Sequence, residues 1–161
     1  MTENPYNSPG SEVESDSESQ RPGSLWKGIL FGGLLDLGGS IAAGTIMLII
    51  YMLQVWSPEM TPEYLEQVAN QYTKEITSFS NIWSFISLFF GLGFSVLGGY
   101  VCAFFAREKW QKAVLILAAI LSGYALLVGG EHYQLGVLLV LTLLSVISIY
   151  IGGWLRAGRR Y

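Results

Sequence analysis

The stretch Phe31 to Gly44, "FGGLLDLGGSIAAG", sets one carboxylate, Asp36, among glycines in the middle of a long apolar run. A bare charge at the centre of a membrane costs about 2.5 to 3.5 kcal/mol on insertion scales, so an ionisable side chain in such a place has a job. It carries a proton or binds a solute, or it hydrogen-bonds one helix to another. Little else in the chain offers chemistry. The one histidine, His132, stands beside Glu131 in the short segment "GGEHYQ". A single imidazole without a second His, a Cys or a carboxylate cluster makes no metal site, and it reads as a polar turn residue. Cys102 is the only cysteine, which rules out an intramolecular disulfide. It lies in an apolar segment with no basic partner and reads as a small packing residue rather than a nucleophile. The glycine pairs follow no strand and carry no P-loop lysine, so they are no phosphate loop. No catalytic residue, metal or cofactor is expected, and the chain does not read as an enzyme.

Composition sets the elements that would hold Asp36 in place. Of the 161 residues 52% are hydrophobic and 13% charged, against roughly 25% charged in a soluble domain. The charges are clustered. Residues 28–56 carry Asp36 alone, and 77–106, 113–130 and 134–155 carry none. About 20 apolar residues cross the hydrocarbon as a helix, and a lipid-exposed backbone must satisfy its own hydrogen bonds. The predicted fold is all-α, a polytopic membrane protein of four transmembrane helices at about 26–56, 79–106, 112–130 and 133–156 within one domain, 25–161. The lipid bilayer is the first expected partner.

Residues 1–24 are Ser, Glu, Pro and Gly with almost no apolar content, too little to offset the entropy of ordering. A disordered acidic tail is expected, and "SEVESDSES" within it also fits a cluster of phosphoacceptors. Acidic and polar, the tail is no secretory signal, so the first helix is expected to be retained as an anchor. Eight of the nine basic residues flank the helices on one side: Arg21 and Lys27, then Arg107, Lys109 and Lys112, then Arg156, Arg159 and Arg160. By the positive-inside rule that side is cytoplasmic and holds both termini. These islands are what orientation requires, with anionic lipid headgroups as neighbours, and no nucleic-acid patch is present. Trp26 and Trp56 bracket the first helix about 45 Å apart at 1.5 Å per residue, matching the two headgroup levels. Only Lys74 lies in the loop beyond that helix. There Thr61-Pro62-Glu63 has the chemistry of a helix start. Leu65, Val68, Tyr72, Ile76 and Phe79 then recur at spacings of three and four, opposite Glu66, Asn70 and Lys74. A short amphipathic outer helix at about 61–76 is predicted, folding against the bundle or serving as a lid.

Small residues mark the helix faces. On the first helix Gly28, Gly32, Asp36, Ser40 and Gly44 recur every four residues, with Gly33, Gly39 and Ala43 adjoining. Such stripes let helices approach closely in lipid, so Asp36 is expected to face protein. The second helix carries Ser87, Gly91, Ser95, Gly99 and Ala103, with Gly98 beside them. The third offers Ala118, Ala119, Ser122 and Gly123, and the fourth Ser145, Ser148, Gly152 and Gly153. Gly98-Gly99-Tyr100 before Arg107 parallels Gly152-Gly153-Trp154 before Arg156, which also fits a two-hairpin repeat.

The segment "GLGFSVLGGYVCAFFARE", the glycine-rich first helix with "DLGG" and the late "GGW" together resemble small, uncharacterised bacterial four-helix membrane proteins with a GGY-x-x-A-x-x-A-R segment. The resemblance implies a bacterial inner-membrane location and transfers no catalytic residue. Counting depth from the basic islands puts Asp36 about 13 Å in, nine residues beyond Lys27. Near Gly98, at Ser122 and Tyr124, and at Ile147 and Ser148 the other helices reach the same depth. No Lys or Arg reaches that level. A buried polar layer of Asp36, Ser40, Ser95, Ser122, Tyr124 and Ser148 is therefore expected, with desolvation favouring the neutral, hydrogen-bonding carboxyl. Two functions follow. One is a structural or regulatory protein acting through helix contacts with a second copy or another membrane protein. The other is a small proton-coupled transporter or channel subunit, oligomeric, with Asp36 as its protonatable group.

Overall fold

A computed structural model describes residues 23–56, 61–77, 82–130 and 133–159. The acidic tail up to residue 22, Phe79 and the Glu131-His132 pair lie outside these. Among the described residues the chain is helical, with no strand: α1 (Leu25–Gln54), α2 (Pro62–Thr77), α3 (Ile82–Ala106), a 3-10 turn at Arg107–Lys109, α4 (Trp110–Gly129) and α5 (Leu135–Gly158). Three stretches are long and apolar enough to cross a membrane: Leu25–Gln54, Ile82–Gly129 and Leu135–Gly158. Large apolar side chains cover their outer faces, Leu34 at 62% exposure and Leu127 at 83% among them.

Local chemistry sets the ends. Ser24 caps α1, its Oγ accepting from the Lys27 backbone N–H at 3.4 Å, and Thr61 Oγ1 accepts from the Tyr64 N–H at 3.3 Å ahead of α2. The 48-residue middle stretch is no continuous rod. Arg107, at φ 48°, enters the left-handed region, and the 3-10 turn folds α4 back against α3. That turn feeds straight into Trp110, so α4 begins two residues ahead of the expected 112. The last helix runs on past 156 to Gly158, and the first ends at Gln54 rather than 56.

The central helix is α3, packed along α1 on one side and α5 on the other, with α4 closing the bundle. Antiparallel α1 and α3 meet backbone to backbone. A Cβ on Gly28 would stand 2.6 Å from the Cys102 carbonyl oxygen, and one on Gly32 2.7 Å from that of Gly98. Parallel α3 and α5 meet as closely, Gly99 against the Ile149 carbonyl and Gly152 against that of Val96, while Gly153 makes room for Val114 and Trp110. Around these contacts Ile29, Cys102, Ala106, Val114, Leu117 and Ile149 form a core at the end of the bundle that carries Lys27, the Arg107–Lys109 turn and Arg156.

The stripe of small residues does not keep its neighbours along the whole bundle. Gly44 and Gly91 have open space where a Cβ would stand, so the expected packing at these two positions is absent. The reason is separation of the helices toward the other end, where α2 folds across α1 and α3. There Val68 and Tyr72 are buried while Glu66, Asn70 and Lys74 face out. Tyr51 Oη donates to Glu75 Oε1 at 3.1 Å, Ser84 Oγ donates to the Glu75 carbonyl at 2.8 Å, and the Tyr51 ring stands 5.0 Å from that of Tyr72.

Candidate functional site

Asp36 sits one turn beyond Gly32 on α1, where the absence of side chains brings α3 close. A Cβ added to Gly98 would stand 3.0 Å from the Asp36 Cβ. At this separation the short carboxylate reaches across to α3, and Ser95 Oγ donates to Asp36 Oδ1 at 2.9 Å. Ser95 lies three residues before Gly98, which faces α1, and four before Gly99, which faces α5. Its hydroxyl therefore stands between both neighbours. Ser95 Oγ is 3.2 Å from Ser145 Oγ of α5, so a line of hydrogen bonds joins three helices. Asp36 is 6% exposed.

Beyond this line the helices part around a cavity of about 390 Å³. Asp36, Ser95 and Ser145 lie at its inner end, above the packed core. From there it runs toward the α2 end, where Ile76, Ser84, Gly129 and Tyr133 border it. Its walls are mostly aliphatic, with Leu37, Leu88, Leu92, Leu121 and Leu141 prominent, and Ser40, Ser87, Tyr124 and Thr142 add hydroxyls. Ser87 Oγ is buried without a hydrogen-bond partner; the Tyr72 phenol of α2 approaches it without forming a well-aligned bond. Thr142 Oγ1 is engaged by the Leu138 carbonyl at 2.8 Å. Burial raises the Tyr133 phenol above its usual pKa, which keeps it a neutral hydroxyl at the α2 end. Among the described residues no Lys, Arg or His borders the cavity. These residues offer one carboxyl and a set of hydroxyls, an environment that favours a cation over an anion.

Of the expected polar layer, the structure brings together Asp36, Ser40, Ser95 and Tyr124. Ser122 and Ser148 do not border the cavity. Ser122 follows Leu121, which faces the cavity, and one residue turns a helix by about 100°, enough to aim the hydroxyl elsewhere. Ser148 is buried one position before Ile149 in the core, and the hydroxyl that meets Ser95 belongs to Ser145, nearly a turn away. Ser84, Ser87 and Thr142 also border the cavity. The recurrence of Ser84, Ser87, Gly91 and Ser95 at spacings of three and four was the available signal for the α3 wall.

No protein-family model matches this chain, and no curated protein or solved structure shows significant similarity to it.

Proposed function

We propose that the chain is a multi-pass membrane protein crossing the bilayer four times, as α1, α3, α4 and α5, with both termini cytoplasmic and α2 on the outer surface. We further propose that it is a small proton-coupled transporter in which Asp36 binds and releases the proton. The observation that supports this most directly is the placement of Asp36 at the inner end of a cavity bounded on that side by tightly packed glycines and aliphatics. A carboxyl needed only to join two helices requires no such space beside it. Location follows the clustering of basic residues at one end of the bundle, and the resemblance of the α3 segment to small bacterial membrane proteins favours the inner membrane.

One observation favours a second reading. The Ser145–Ser95–Asp36 line ties α5, α3 and α1 together at the level where their backbones touch, as a purely structural bond would. Infrared spectroscopy of the protein in nanodiscs separates the two. A protonated carboxyl gives a carbonyl band of its own, and loss of that band in Asp36→Asn assigns it. If the band titrates between pH 5 and 9 and the protein carries protons across proteoliposomes in an Asp36-dependent manner, the proposal stands. A carboxyl that keeps one protonation state throughout that range leaves the structural reading.

A further inference from the structure

The cavity also limits what accompanies the proton, and this inference rests on the reading of Asp36 as an exchangeable site. We propose that the cavity binds a lipophilic organic cation, a protonated primary amine on a compact apolar body, with its ammonium at Asp36 and its body among the leucines toward the α2 end.

Three features point to that class. First, the charge requirement is one-sided: among the described residues Asp36 is the only charged group that borders the cavity, so a cation gains a counter-ion there and a carboxylate or phosphate finds none. Second, the polar groups are divided between two ends. Asp36, Ser95 and Ser145 sit together at the inner end, where three N–H donors of a primary ammonium match a carboxylate oxygen and two hydroxyl oxygens. Leu88, Leu92, Leu121 and Leu141 then form a sleeve with no charge, suited to a hydrocarbon or aromatic body and poor for a hydrated metal ion. Third, about 390 Å³ lies in the range of cavities that enclose small organic ligands, far more room than a proton or bare ion needs. Proton balance couples the two events. If the carboxyl enters protonated, seating the ammonium expels its proton to water. The amine remains charged, Asp36 becomes the carboxylate counter-ion, and no covalent bond changes.

The probe is radiolabelled 2-phenylethylamine, measured by equilibrium dialysis against nanodiscs holding the full chain, with empty nanodiscs to subtract lipid partitioning. 3-Phenylpropionate, of similar size and opposite charge, is the comparison. Saturable binding of the amine, none of the carboxylate, and release of a proton on mixing are expected. Asp36→Asn should weaken amine binding at least about tenfold, the scale of losing a charge-assisted hydrogen bond. Ala125 borders the cavity on α4, so Ala125→Phe fills the sleeve while leaving Asp36 in place, and it should abolish binding yet keep the carboxyl infrared band. Equal binding of amine and carboxylate by the wild type, or amine binding unaffected by Ala125→Phe, overturns the proposal, and the wild-type comparison decides even if a variant fails to fold. A titrating Asp36 band with no saturable amine binding rejects the ligand class and leaves proton carriage standing. A band that does not titrate rejects the proton reading itself.

Discussion

Ser95 Oγ donates to Asp36 Oδ1 at 2.9 Å across 59 residues of sequence, and the same hydroxyl lies 3.2 Å from Ser145 Oγ. The bond exists because Gly32 and Gly98 let α1 and α3 touch one turn away. We expect Ser95→Ala to lower stability in detergent unfolding by about 1 to 2 kcal/mol, since interhelical hydrogen bonds in membranes contribute about 0.6 kcal/mol on average and a buried acceptor here loses its donor. Ser122→Ala, outside the cavity, is the control. If the two variants unfold alike, the Asp36 contact contributes nothing to the fold.

Glycine substitutions should divide by backbone contact rather than by sequence pattern. A side chain at Gly99 meets the Ile149 carbonyl, and one at Gly152 meets that of Val96. Gly99→Ala and Gly152→Ala should each cost about 1 to 3 kcal/mol, the range for overpacked cores. Gly44→Ala meets nothing and should be neutral or stabilising by up to about 1 kcal/mol, because alanine is the better helix former. Thermal unfolding of the three variants side by side checks this. An intolerant Gly44 points to a contact with a neighbouring molecule at that face.

The contrast between Gly99 and Gly44 also marks how far the sequence could be read. Helix number and the inward position of Asp36 follow from charge-free stretches and a four-residue stripe, both local properties. Ser95 was reachable for the same reason, since it belongs to the stripe of α3. Ser145 against Ser148 was not. Depth counted from a basic island is uncertain by about a turn, and the choice between neighbouring serines depends on which face of α5 meets α3, a relation between distant segments. Gly91 shows the same limit from the other side: its stripe continues while the contact stops, because α1, α3 and α5 diverge to form the cavity. The cavity itself is a property of that divergence, and no residue type encodes it.

Topology is open to direct labelling. Cys102 is fully buried, so Cys102→Ala gives a background free of thiols. In that background Glu66→Cys, on the exposed face of α2, should react with a membrane-impermeant maleimide added to intact cells, and Arg159→Cys should react only after lysis. Labelling of Arg159→Cys from outside reverses the orientation argued from the basic residues.

Tyr51 fastens α2 to the bundle. Its hydroxyl donates to Glu75 at 3.1 Å, and its ring lies 5.0 Å from Tyr72 and 6.2 Å from Trp83, so a single side chain near the end of α1 holds both α2 and the start of α3. The rest of α2 offers little else to bury: among its described residues Val68 and Tyr72 alone are fully enclosed. Tyr51→Phe removes one hydrogen bond, worth about 0.5 to 1.5 kcal/mol, and keeps the ring contacts. Tyr51→Ala removes both, with a further 0.5 to 1.5 kcal/mol or so for each aromatic pair. Hydrogen exchange should therefore speed up over 62–77 modestly in Tyr51→Phe and strongly in Tyr51→Ala, while the amides of Gly98, Gly99 and Gly152 in the packed half keep their protection. Because Ile76 borders the cavity, loosening α2 should also raise the rate at which a bound amine enters and leaves without changing its dependence on Asp36. Exchange over α2 that is the same in Tyr51→Ala as in the wild type means that Val68 and the Ser84–Glu75 bond hold the helix without Tyr51.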